Sequence, residues 1–351
     1  MKNGRVTSQV VSLEALSEID QQAWRRFLAP RPLAFLSYPY ARAVASCVPS
    51  VRVCRLMQDG RVAGFFPFQY RSSAHAALGI GQRLAGEMSD YFGLVAEPGF
   101  RIAERALLDA CGLRSLAFTH LDESQRENGL AGDKSEVGHR IDFPQGGKAF
   151  WEEKERQDKK FVSDTERRER KLIREHGALR FVFSEEGGEA ALGELIARKR
   201  AQYHRTGVMD SLRAKHTRDI LHALCGTRDE QCHGTVSTLH AGDTWVASHF
   251  GLRSGATLHY WFPVYNPELK ALAPGRMLLK QIILGAQQLG LERIDRGAGD
   301  SVAKRDFSTS RHFFFSGLWQ RPGLSALAHR VGLGIGWRLA GFGARGMHES
   351  E

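Results

Sequence analysis

The chain has 351 residues, 42% of them hydrophobic and 25% charged, with a formal net charge of +10. This is the composition of an ordinary globular protein, long enough for two domains with a core each, and it has no run of 18 apolar residues that would form a transmembrane helix. Five cysteines without CxxC spacing exclude a disulfide framework and a zinc site and suit a reducing cytosol, while the positive excess admits an anionic partner: a nucleotide cofactor, tRNA, a phosphorylated substrate or an acidic membrane surface.

No secretory signal opens the chain, which points to the cytoplasm. Residues 13–28, "LEALSEIDQQAWRRFL", carry apolar side chains at helical spacing. In "VRVCRLMQDGRVAGFFPFQY" (51–70), Asp59-Gly60 between two apolar runs predicts a hairpin. Gly79, Gly81 and Gly86 in "LGIGQRLAG" read as a loop, because no dinucleotide fingerprint follows. "DYFGLV" (90–95) reads as a strand. In "AEPGFRIAERALLDACGLRSLAF" (96–118), Pro98-Gly99 precede an amphipathic helix, Gly112-Leu113 stop it, and a strand follows.

The boundary between halves is expected at the turn-rich "FPQGGKAF" (143–150). Residues 151–176, "WEEKERQDKKFVSDTERRERKLIREH", read as one solvated helix with Glu152/Arg156, Glu155/Lys159 and Glu166/Arg170 four apart. The competing functional reading is that Arg167, Arg168 and Lys171 face an anionic substrate. Two further helices are expected over 192–204 and 217–225. Residues 234–265 predict a three-stranded meander turning near Gly242-Asp243 and Ser254-Gly255. Then "APGRMLLKQIILGAQQLGLERID" (273–295) repeats the first-half order: proline-glycine, helix, a Gly290-Leu291 stop, strand. Matched order in both halves argues for an internal duplication. Residues 321–346 form a basic tail that either packs on the core or makes peripheral contact with an anionic membrane.

This element order predicts an α/β chain of two tandem domains, each a mixed, largely antiparallel sheet flanked by helices. The domains are expected at 1–145 and 146–320, followed by the tail at 321–351. A helix start offers unpaired amides and the positive end of a dipole, which suits phosphate. Ala273-Pro274-Gly275 is therefore the expected rest for a pyrophosphate, on the amides of Arg276, Met277 and Leu278, with the Arg276 guanidinium as a charged fork. In the first half, Glu97 before Pro98-Gly99 would repel phosphate, so one cofactor site per chain is expected.

The residues "ASHFG" (247–251), "LHYWFPVYNPELKALAPGRMLL" (258–279), "LERIDRGAGDSVAKRDFS" (291–308) and "FFFSGLW" (313–319) resemble the BioF2-like acetyltransferase domain of the GNAT superfamily. That group includes cellulose-biosynthesis-type acetyltransferases and is related to the FemABX aminoacyl transferases. The resemblance covers the second half; the first half resembles a degenerate GNAT-like domain. It implies that acetyl-CoA or another acyl-CoA lies with its pantetheine arm along Trp261 to Tyr265, Val264 included, and its pyrophosphate at Ala273, Gly275, Arg276, Met277 and Leu278. The sequence departs from the family in two places. The glycine-rich loop is reduced to "KALAPG" (270–275), and Ala303 stands before Lys304 where the family often has tyrosine.

The implied reaction is transfer of an acyl group, most simply acetyl, from acyl-CoA to an amine or hydroxyl of a small or saccharide-type acceptor, as in polysaccharide biosynthesis. His249 has the ordinary pKa of a base or relay, against the plain alternative of a satisfied sheet histidine. Asp295 suits orientation of the acceptor, and Tyr260 donation to a carbonyl or thiolate. Tyr203, His204, Tyr265 and Lys304 are the expected acceptor-side residues, and no metal cluster is evident. Two alternatives stay open: a FemABX-type aminoacyl-tRNA-dependent transferase, the one case in which nucleic acid is a partner, and a non-enzymatic accessory protein of polysaccharide biosynthesis.

Overall fold

The structure is a computed structural model and describes residues 6–184 and 188–322. The basic tail, apart from its first two residues, lies outside the described residues. Within the described residues the chain divides into two units. The first comprises residues 6–138, 214–223 and 312–322, the second residues 139–213 and 224–311.

The first unit contains β1 (Val6–Val11), α1 (Glu18–Leu28), α2 (Tyr38–Ala45), β2 (Val51–Gln58), β3 (Arg61–Gln69), α3 (Ser73–Ala77), β4 (Ile80–Gln82), β5 (Val95–Ala96), α4 (Glu104–Ala110) and β6 (Ser115–Asp122). Ser17 and Asp20 close a reciprocal capping box at the start of α1, so the α-helix begins later than the periodicity from Leu13 suggests. Asp59 and Gly60 both take positive φ in the β2–β3 turn, as the hairpin requires. The 90–95 strand is a correction. Only one bridge forms there, Phe92 to Leu121, and β5 spans two residues. Gly81 is also not in a loop but in β4, paired with Leu116 of β6, and a Cβ there would strike Leu113. The strand β7 (Lys134–Asp142) follows.

The second unit holds α5 (Gly147–Gln157), α6 (Lys159–His176), β8 (Leu179–Ser184) and α7 (Glu189–Thr206). After α8 (Lys215–Cys225) come β9 (Arg228–Asp229), β10 (Cys232–Ala241), β11 (Thr244–Ser254), β12 (Thr257–Tyr265), α9 (Pro274–Leu284), β13 (Arg293–Ala298) and α10 (Val302–Phe307), and then β14 (Ser310–Gln320). The first unit's sheet runs β1-β2-β3-β4-β6-β14, with only β4 and β6 parallel. The second unit's sheet runs β13-β12-β11-β10-β8, with only β12 and β13 parallel. Each unit is thus a mixed, largely antiparallel sheet flanked by helices.

The expected helix 151–176 is two helices. Asp158 leaves helical geometry (φ −143°, ψ 70°) and caps α6 by accepting from the Phe161 N–H at 3.0 Å. The break puts Glu155 and Lys159 on different helices. Arg156 pairs with Glu153 at 2.6 Å, while Glu166/Arg170 forms at 3.8 Å. Nor is α6 wholly solvated, since Phe161, Val162, Thr165 and Leu172 are buried. These pack with Trp151, Met277, Leu278 and Ile282 against Leu239, Ala247, Leu258 and Tyr260 of the sheet. The helix after Pro274 ends at Leu284, capped by Gly285, five residues before the expected glycine.

A buried ion pair ties α6 to α9. Lys280 Nζ meets Glu169 Oε2 at 2.5 Å and lies 5.0 Å from the Trp151 ring centroid; Gln281 adds a bond to Glu169 Oε1 at 3.0 Å. Removing one partner strands the other charge in a dry site, which costs about 3–5 kcal/mol. Glu169→Ala is therefore expected to lower unfolding stability by about 3 kcal/mol in denaturant titrations, and Glu169→Gln by less because the amide still accepts from Lys280.

Candidate functional site

The site is built where two strands of the second unit part. β12 and β13 pair in parallel over three residues, Thr257↔Arg293, Leu258↔Ile294 and His259↔Asp295. Beyond that point β12 continues to Tyr265 beside β11 alone, while β13 runs on to Ala298. A bulge in β12 lies two residues past the last pair. Phe250 faces Phe262 and Gly251 faces Tyr260, so Trp261 is the extra residue.

The bulge decides which side chains meet. Leu258 and Tyr260 share one face of the sheet; His259, and with it Asp295, takes the other. Tyr260 stacks on His249 with ring centroids 4.1 Å apart and planes within 4°. Arg296 lies over the Tyr260 ring at 5.5 Å and donates to the Ala303 carbonyl at 2.8 Å. His249 is fully buried, and its Nε2 accepts from the backbone N–H of Trp261 at 3.3 Å. Burial holds its pKa down at about 3, helped by the neighbouring His259 and by Arg296. The three residues expected to act together are therefore divided: His249 and Tyr260 on one face, Asp295 on the other.

Asp295 is buried and held. Its Oδ1 accepts from the Gly297 N–H at 2.8 Å, its Oδ2 is 3.3 Å from Arg140 Nε, and His259 Nδ1 stands 3.7 Å from Oδ1. Sequence reasoning missed His259 and Arg140. A register argument from the parallel crossover was the one signal that could have placed His259 opposite Asp295.

The helix start is open. Ala273 caps α9 in left-handed geometry (φ 51°, ψ 58°), which costs an alanine about 1–2 kcal/mol. The Met277 N–H returns to the Ala273 carbonyl at 3.2 Å, and the Met277 and Leu278 side chains are in the core. The amides without a helical acceptor are thus those of Gly275 and Arg276, earlier in the chain than expected. Nothing lies within 4 Å of where a Gly275 Cβ would stand. The Arg276 guanidinium is a second correction. It bonds Asp164 at 3.2 Å and Thr165 at 3.3 Å and covers the Phe161 ring at 4.5 Å, so it forms no outward fork. Cation density at the loop comes instead from α6. Arg168 donates to the Ala271 carbonyl, and Arg167 and Arg168 hold the Asp164 carboxyl below its ordinary pKa. Lys171 turns to Glu175 at 3.8 Å.

The remaining expected residues are dispersed. Val264 is buried on β12, and Tyr265 is half-buried at its end. Tyr203 on α7 lies 5.2 Å below the Lys199 ammonium, which donates to the Pro263 carbonyl of β12 at 2.7 Å. His204 is exposed on the last turn of α7. Lys304 donates to the Ala298 carbonyl at the end of β13, at 2.5 Å. Among the described residues no group of three or more His, Cys, Asp or Glu could hold a metal, and no helix is long and apolar enough to cross a membrane.

The sequence profile of the acetyltransferase (GNAT) domain family matches residues 159–305, which include α6 through most of α10. The crystal structure of FemX superposes with a TM-score of 0.57 at 10% identity, covering 88% of this chain and 96% of that one. A conserved protein of unknown function from Bacteroides thetaiotaomicron VPI-5482 gives 0.51 at 10% identity, covering 85% and 97%. The C-terminal domain (DUF2156) of a putative lysylphosphatidylglycerol synthetase from Agrobacterium fabrum gives 0.51 at 11%, covering 88% and 94%. No curated protein matches the chain. At these identities the structural likeness speaks for the fold alone, a GNAT-like mixed α/β one.

The buried imidazole has a consequence for stability against pH. Above the unfolded pKa of about 6.5, neither state protonates His249. Below it the unfolded chain takes up a proton that the folded chain refuses, so stability falls as pH falls. At pH 5 the loss is expected to be about 2 kcal/mol relative to pH 7.5. Denaturant titrations at the two pH values check it, and His249→Gln should remove that share of the acid sensitivity.

Proposed function

We propose that the chain is an acyl-CoA-dependent acyltransferase, most simply an acetyltransferase, acting on an amine or hydroxyl of a small or saccharide-type acceptor. The observation that carries this reading is the short β12–β13 ladder, ending at His259↔Asp295, followed by a helix whose first amides have no acceptor and open space beside them.

The residues present fit such a co-substrate. The backbone of β12 from Trp261 to Tyr265, beyond the end of the ladder, suits a pantetheine arm. The amides of Gly275 and Arg276 suit its pyrophosphate, with Arg167 and Arg168 of α6 adding positive potential. Acyl-CoA supplies the activated thioester. The chain supplies position and proton handling. His259 and Asp295 stand at the fork where the strands part, and a buried carboxylate 3.7 Å from an imidazole favours that ring as base. Arg140 and the Gly297 N–H fix the carboxylate, so the pair is pre-oriented rather than ordered at the moment of reaction.

A second reading, aminoacyl-tRNA-dependent transfer of the FemABX type, is favoured by the likeness to FemX along 88% of the chain and by the net charge of +10. The two readings diverge at the helix start. Calorimetric titration with acetyl-CoA is expected to give about one site per chain. Gly275→Asp is expected to abolish it without unfolding, because the new side chain enters open space and sets a carboxylate against the phosphates. No binding of acetyl-CoA or longer acyl-CoAs, with salt-sensitive tRNA binding instead, would favour the second reading. Once an acceptor is found, His259→Gln is expected to lower kcat about 10²- to 10⁴-fold while the acetyl-CoA titration stays as in the wild type.

A further inference from the structure

His249 is the residue whose local sequence most invites a catalytic role and whose surroundings least allow it. It is fully buried in the middle of β11, between Ser237 of β10 and Pro263 of β12 in the ladder. One side of the ring is closed by Tyr260. An acceptor from solvent has no path to either nitrogen through these neighbours. The ring does something else: Nε2 receives the N–H of Trp261, the residue that the bulge inserts. In an ordinary antiparallel ladder that amide would give its proton to a carbonyl of the facing strand. Here the facing strand offers it an imidazole nitrogen.

We propose that His249 is a positioning residue: as the neutral ring with its proton on Nδ1, it accepts the Trp261 amide and so fixes the bulge at which β12 leaves β13. This rests on the acyltransferase reading only for its catalytic consequence; the bulge and its acceptor are structural facts. Three further observations support it. Gly251, opposite Tyr260, is forced, because a Cβ there would lie 2.5 Å from His249 Nε2 and 2.3 Å from the His259 carbonyl oxygen. The strand is thus kept bare where the ring must reach the bulge. Among the described residues neither Nδ1 nor Ser237 Oγ, directly across the ladder, has a hydrogen-bond partner, so the ring is held through Nε2. Burial also keeps the ring neutral through the physiological range, so one of its nitrogens remains able to accept there. The rival arrangement places the proton on Nε2 and aims it at the His259 carbonyl, which lies beside the same nitrogen.

Nitrogen-15 spectra of the uniformly labelled full chain separate the two. The expected result is one imidazole with a protonated Nδ1 and a bare Nε2, unchanged between pH 5 and 8. It should be assigned by its loss in His249→Gln. Amide exchange of Trp261 should speed up about tenfold in His249→Ala and be largely restored in His249→Gln, whose Oε1 can accept in place of Nε2. If acetyl-CoA turnover is present, His249→Ala should raise KM for acetyl-CoA more than it lowers kcat, and glutamine should recover most of the loss. A protonated Nε2, a titration near pH 6.5, or a Trp261 amide equally protected in His249→Ala would overturn the proposal. So would a 10²- to 10⁴-fold fall in kcat shared by both variants, which is what removing a general base produces. A wild-type chain with the expected nitrogen signals that ignores acetyl-CoA would keep the bulge role and overturn the acyltransferase reading alone.

Discussion

Three parallel pairs hold β12 to β13, and the fourth is never made. A parallel ladder normally continues while both strands remain straight, since each added pair satisfies two more backbone groups. Here the extra residue at Trp261 shifts the phase of β12 two residues after His259. The strand's later residues keep their antiparallel partners on β11, but they no longer run in step with β13. Past His259 the backbone polar groups of β12 have no ladder partners on β13. This costs ladder hydrogen bonds, and those groups are what a linear amide-bearing ligand can use.

Helix α9 is aimed by the same strand. Asn266 caps the short turn after Tyr265 by accepting from the Glu268 N–H at 3.1 Å and ties back to the Trp245 carbonyl at 3.0 Å. Ala273 then takes a left-handed conformation and starts the helix with Pro274, whose missing N–H is one of the orphans in any case. On the far side α6 braces this loop through Arg168 on the Ala271 carbonyl and Asp164 on Arg276. The arginines therefore do two jobs at once. They neutralise a buried-side carboxylate and leave a positive margin near the helix start, where the dipole already favours an anion.

The polar residues around the end of the ladder fall into two groups with different physics. His259, Asp295 and Arg140 form a polar set at the fork, with the carboxylate 3.3 Å from Arg140 Nε and 3.7 Å from His259 Nδ1. His249, Tyr260 and Arg296 form a dry stack on the opposite face, in which the imidazole is held neutral and the rings pack face to face. A histidine can serve either purpose, and its neighbours choose between them: both rings are buried, but His259 has the Asp295 carboxylate 3.7 Å away, whereas His249 has His259 and Arg296 beside it.

The sequence by itself determined the elements and their order. The Asp59-Gly60 hairpin, the 234–265 meander, the proline-glycine start of α9 and the following strand were all legible, because turn residues and hydrophobic period act over a few residues. It also carried the resemblance to acyltransferases in the second half. Tertiary structure decided what faces what. The bulge at Trp261 inserts one residue and shifts the phase of β12 after Tyr260, so no count along the chain could place the residues from Phe262 to Tyr265 against β11. Arg276 bends back because Asp164, 112 residues earlier, stands within its reach. Asp158 breaks one predicted helix into two by capping the second. Each of these outcomes depends on a partner brought close by the fold, and such a partner leaves no mark in the local sequence.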